Sequence, residues 1–185
     1  MSEPKSYLKN KRILAVDDEE DILETIEDIL EDSQVDRARD YKTASKKINE
    51  NRYDLAILDI MGVDGLKLLE EAVDRGIPAV MLTAHAINPE ALMSSIQKGA
   101  IAYLPKEKLS ELDDLLGRIL SAHEKGEPSW KILFELLGDY LDQRFGPDWK
   151  TKEKIFWSEF SRSYQVSEKK RECIMHDEKV LDKGF

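Results

Sequence analysis

Three short runs of uninterrupted apolar residues, Ile13–Val16, Leu55–Leu58 and Ala79–Leu82, alternate with segments whose apolar positions recur every three or four residues. An unbroken run of this length suits a strand buried on both faces, whereas a three-to-four repeat suits a helix with one buried stripe. Ile22, Leu23, Ile26, Ile29 and Leu30 form one such stripe. Leu66, Leu69, Ala72 and Val73 form a second, and Ala91, Leu92, Ser95 and Ile96 a third. Breaks at Gly76-Ile77-Pro78 and Gly99-Ala100 stand where helices should turn back into strands. A weaker strand near Val35–Ala38, a helix near Lys42–Asn49, a strand at Tyr103-Leu104 and a helix near Leu109–Ala122 complete five strand-helix units. Strict alternation of this kind predicts an α/β fold, a parallel sheet with helices on both faces.

Beyond Ala122 the rhythm changes. Glu124-Lys125-Gly126-Glu127-Pro128 is a breaker, and Ser129 is placed to cap a helix whose stripe runs through Trp130, Leu133, Phe134, Leu137, Tyr140 and Leu141. A second aromatic stretch, Ile155 to Tyr164, predicts another helix from about Thr151. The chain therefore divides into a lead at 1–10, an α/β domain at 11–123, a helical extension at 124–165 and a charged tail at 166–185 whose few scattered apolar residues predict disorder.

The 185 residues carry a net charge of −10, nearly all of it in the first 125, and this argues against a surface that binds nucleic acid through positive charge. Cys173 is the one cysteine, so no intrachain disulfide can form. Residues 1–10 lack an apolar core of signal-peptide length, and no run approaches a membrane span. The cytoplasm is the expected compartment.

The chemistry lies where the strands end. Asp17 and Asp18 follow the first strand, Asp59 the third, Thr83 the fourth and Lys106 the fifth. Ligands bind at the carboxyl ends of parallel strands, so these scattered residues should converge on one edge. Three carboxylates together repel unless something positive stands among them. Lys106 is one candidate. A divalent cation is the other, and oxygen donors alone favour magnesium over zinc.

With Asp17-Asp18, Asp59, Thr83-Ala84, Lys106 and Tyr103 three residues before it, residues 10–122 resemble the receiver domain of two-component response regulators. The resemblance implies a flavodoxin-like, five-stranded doubly wound sheet of order 2-1-3-4-5. It makes Asp59 the phosphoacceptor and Asp18 a direct Mg²⁺ ligand, with Asp17 acting through a metal-bound water and the backbone carbonyl of Met61 as a further ligand. Thr83 would donate to one phosphoryl oxygen and Lys106 would pair with another. Two readings stand for Tyr103: the family's rotameric switch, or an edge aromatic half-covered by its neighbours. The donor would be a histidine kinase or phosphotransfer protein, and the output a contact with another protein or with a second copy. The family is not an enzyme with an external turnover substrate, although it catalyses its own phosphorylation and dephosphorylation.

The chain also departs from the family pattern. Asp59-Ile60-Met61-Gly62-Val63-Asp64-Gly65 reaches its Asp-Gly pair two residues early and lacks the usual proline, so the loop after the third strand is short. Pro105 precedes Lys106 rather than following it, which moves any cis bond to the one before Pro105. Competing readings are a haloacid-dehalogenase-type Mg²⁺ phosphohydrolase, whose second motif aspartate is missing at Met61, and a phosphorylation-independent scaffold. Two readings stand for His85, two residues after Thr83: a solvent-facing loop imidazole, which is the more usual case, or a side chain over the proposed site that governs water access. Singly, Asp17 and Asp64 read more readily as turn or cap residues, and Cys173 with His176 lacks the partner pair that a metal site needs.

Overall fold

The structure, a computed structural model, describes residues 7–84 and 89–127 together with Gly138, Asp139, Asp142 and Gln143. Apart from those four positions, which are helical, the two helices expected beyond residue 128 lie outside the described residues, as do the charged tail, Cys173, His176 and His85. The sheet belongs to the first of two compact units, residues 1–139 and 140–185.

Five strands, β1 (Arg12–Val16), β2 (Gln34–Ala38), β3 (Leu55–Asp59), β4 (Ala79–Thr83) and β5 (Ala102–Pro105), lie parallel in the order β2-β1-β3-β4-β5. The three apolar runs are the three central strands. β3 and β4 are buried along their whole length, as continuous apolar sequence demands when helices cover both faces. β2 is an edge strand on which Gln34 and Arg37 are exposed, while Asp36 is half-buried and its burial is offset by polar partners. Asp36 is fastened there by Arg12 and by the Tyr53 hydroxyl, each donating at 2.8 Å.

The connecting helices are α1 (Glu20–Ile29), α2 (Tyr41–Glu50), α3 (Gly65–Asp74) and α4 (Pro89–Gln97), and α5 (Leu112–Glu124) closes the domain. Crossovers between parallel strands are right-handed as a rule, and with the single reversal in strand order this puts α1 on one face and α2 to α4 on the other, in keeping with the packing of α2 on α3 and of α1 on α5. α5 packs beside α1, and Glu71 of α3 accepts from Tyr41 and Ser45 of α2. Leu23, Ile26, Leu68, Leu69, Leu116 and Ile119 of the helices meet Ile13, Leu14, Ile57 and Leu58 of the sheet in the core. Burying each such side chain stabilises the fold by ~1.5–3 kcal/mol.

Two expectations are corrected. The last helix begins at Leu112, because Lys106–Glu111, with Leu109 its one large aliphatic residue, winds as a tighter 3-10 turn. Tyr103 is not half-covered: it is 2% exposed, since α4 packs across β5. No cis peptide occurs among the described residues, Pro105 included.

Candidate functional site

Parallel strands all deliver their last residues to the same edge, and the pairing register sets how far each one reaches. Asp59 lies beside Leu82, and Thr83, one step further, lies beside Pro105. Lys106 is therefore the first residue beyond the sheet. On the other side Asp17 follows Val16 directly, and its N–H donates to the Ala38 carbonyl at 3.1 Å, which continues the ladder by one residue.

This register brings the acidic residues together. One carboxylate oxygen from each of Asp17, Asp18 and Asp59 lies within 4.8 Å of the others, with Asp17 and Asp59 buried and Asp18 exposed. Lys106 reaches in from the far side. Its Nζ lies 2.7 Å from Asp17 Oδ2, 3.0 Å from Glu19 Oε1 and 3.6 Å from Asp59 Oδ1, and its side chain is only 9% exposed. Thr83 is likewise buried, at the end of β4. Met61 lies in the turn after β3 and is 60% exposed, and because a thioether is a poor donor for a hard divalent cation, any part it takes in such a site falls to its main-chain carbonyl.

The electrostatics are unbalanced. Burial pushes the Asp59 carboxyl up to about 6; Lys106 and the Ile60 N–H oppose the shift, and the charges of Asp17 and Asp18 add to it. For Lys106 burial works against the ammonium, but Asp17, Glu19 and Asp59 outweigh it and hold the group above its ordinary range. Asp17 Oδ1 accepts the Glu19 N–H at 3.0 Å, whereas Oδ2, fully buried, has Lys106 as a close charge but no hydrogen bond of sound geometry. The 2.7 Å separation is thus better read as an ion pair than as a directed bond. A small divalent cation fits this donor set: it would supply the missing partner for a buried oxygen and offset repulsion that one lysine leaves in place.

Residues not singled out in the sequence complete the edge. Glu19, next to the acidic pair, is the second carboxylate on Lys106. Arg39 donates to the main-chain carbonyl of Asp18, with Nη2 at 3.2 Å. Gly65 opens α3 so close to β3 that a Cβ there would fall 1.8 Å from the Asp59 carbonyl oxygen. Gly62 has a φ of +78° and lies against the Asp18 carboxylate. The Asp-Gly pair was the one legible signal of these approaches. Asp64 itself occupies the cap position of α3 without a side-chain capping bond.

A family model for the response regulator receiver domain matches residues 13–119. The phosphate regulon transcriptional regulatory protein PhoB of Klebsiella pneumoniae is 37% identical over 122 residues, covering 59% of this chain and 53% of that protein. The two-component response regulator ARR10 of Arabidopsis thaliana is 34% identical over 112 residues, covering 56% of this chain and 20% of that protein. The chain thus spans about half, or less, of the length of these curated relatives. Among solved structures, a CheY-like response regulator receiver domain protein from Methanospirillum hungatei superposes with a TM-score of 0.57 at 30% identity, covering 64% of this chain and 99% of that one.

Proposed function

The chain belongs to the response-regulator receiver family across residues 13–119, and on that footing we propose that it is a two-component signalling protein that accepts a phosphoryl group on Asp59 from a histidine kinase or phosphotransfer protein. The observation that carries this reading is the seat of Asp59: a carboxylate buried at a strand end, beside two acidic partners and 3.6 Å from the Lys106 ammonium.

In the proposed step an Asp59 carboxylate oxygen attacks phosphorus in line with the N–P bond of a phosphohistidine. The new O–P bond forms as the N–P bond breaks, and the electron pair stays on the imidazole nitrogen, which takes a proton from water. Phosphoryl transfer of this kind asks the protein mainly for positioning and charge neutralisation. Lys106 would pair with one phosphoryl oxygen as it arrives, leaving Glu19 to solvent. Thr83 would turn its hydroxyl to another. Asp17, Asp18, Asp59 and the Met61 carbonyl would hold Mg²⁺, which when bound neutralises part of the phosphoryl charge.

The acylphosphate adds negative charge where Thr83 and Lys106 converge, and the resulting shift at Thr83 would pass along the neighbouring edge of the sheet to Tyr103. The altered face then changes contact with an output protein or a second copy of the chain. A haloacid-dehalogenase-type hydrolase is disfavoured because Met61 stands where that chemistry needs a second aspartate, and a silent scaffold is disfavoured because every charged position is filled.

Incubating the protein with Mg²⁺ and a small-molecule phosphodonor, followed by intact-mass measurement, tests the proposal. One phosphate on the parent and none on Asp59→Asn is the expected result. Labelling of both, or sustained turnover of a generic phosphate ester, would refute it.

A further inference from the structure

The turn between β3 and α3 is shorter than the family pattern by two residues, and it is pinned at its far end, where Gly65 abuts the Asp59 carbonyl. Residues 60–64 must therefore cross the sheet edge by a tight path. That path runs directly over Asp18. At Gly62 a Cβ would lie 2.6 Å from Asp18 Oδ1, 2.7 Å from Cγ and 2.8 Å from Oδ2, distances that real Cβ atoms essentially never show. The φ of +78° is a second reason for glycine at this position.

Asp18 has little else to hold its side chain. Its backbone carbonyl is anchored by Arg39, but its carboxylate makes no hydrogen bond or ion pair among the described residues. The carboxylate nevertheless stands with those of Asp17 and Asp59. What bounds it on the open side is the bare backbone of Gly62.

We propose that Gly62 is a positioning residue for the cation site: the absence of a side chain there lets the Asp18 carboxylate stand beside Asp17 and Asp59, and any Cβ drives it out of the cluster. The proposal rests on the reading of that cluster as a divalent-cation site. It assigns to this chain's shortened turn a constraint that a longer turn need not impose, because a longer turn can pass further from β1.

Calorimetric titration of the 185-residue chain with MgCl₂ tests this, using the parent, Gly62→Ala, Gly62→Asn and Gly76→Ala. Gly76 provides the control for backbone strain: its φ is +69°, but a Cβ there meets nothing within 4 Å. Asparagine adopts positive φ more readily than alanine, so Gly62→Asn keeps the turn while still introducing the clash, should Gly62→Ala fail to fold. Both Gly62 variants should bind Mg²⁺ about tenfold or more weakly, as is typical when a ligand loses its positioning partner. Gly76→Ala should bind like the parent. Parent-like affinity in a folded Gly62 variant, or an equal loss in Gly76→Ala, overturns the role of Gly62. A parent that binds no Mg²⁺ overturns instead the cation-site reading beneath it.

Discussion

Asp59 is where the energetic conflict of this site is concentrated, because the carboxylate is 4% exposed with two other acids beside it. Its folded-state value of about 6 lies above the unfolded 3.8, so the metal-free folded protein holds this proton more tightly than the unfolded chain does. The penalty of ionising Asp59 is accordingly absent below 3.8 and complete above about 6, and stability contributed by this group falls as pH rises between them. Asp59→Asn should therefore stabilise the metal-free protein at neutral pH, by on the order of 1–3 kcal/mol. Urea unfolding in EDTA at pH 7 and at pH 4 checks this: the gain should be present at the first and largely gone at the second. Lys106 makes the opposite contribution. Lys106→Ala removes the one ammonium that faces both Asp17 and Asp59 in the described site, and it should slow phosphodonor labelling of Asp59 by about 100-fold, the scale of a lost charge-stabilising donor. Labelling time courses followed by intact mass, with circular dichroism as the check on folding, measure that effect.

The junction of β3 with α3 shows how closely two elements can be tied through one small residue. A methyl group at Gly65 would sit 1.8 Å from the Asp59 carbonyl oxygen, and no side-chain rotation relieves an overlap with backbone. Gly65→Ala should force α3 away from the sheet edge, lowering the thermal midpoint by several degrees, because a loss of about 1 kcal/mol or more shifts a domain of this size by that much. Labelling of Asp59 should fall with it. Unchanged melting would mean that the turn can be rebuilt at little cost. The strands themselves differed in how plainly they could be read. β1, β3 and β4 announced themselves because their interiors are buried on both faces and run through uninterrupted apolar residues, whereas β2, at the edge, tolerates Asp36 and Arg37 and left only a faint trace. The 3-10 turn at Lys106–Glu111 was read partly as helix, since a lone leucine among polar residues fits either winding.

Across the full chain, a cation at the cluster should appear as stability, because it binds the assembled site and not the unfolded chain. Saturating Mg²⁺ at ~100 times its Kd adds about 2.7 kcal/mol, and Asp18→Ala should lose most of that increment. Calorimetric melting with MgCl₂ and with EDTA makes the comparison. A parent with the same midpoint in both would contradict the cation site. No helix among the described residues is long and apolar enough to cross a membrane. The alternation of strands and helices, the parallel sheet and the strand-end placement of Asp17, Asp18, Asp59, Thr83 and Lys106 were all legible beforehand. They depend on local periodicity and on where each apolar run stops, which are properties of contiguous sequence. Glu19 on Lys106, Gly62 against Asp18, Gly65 against Asp59 and the full burial of Tyr103 were not. Each depends on the distance between segments far apart in the chain or across a tight turn, and such distances exist only once register and packing have brought the segments together.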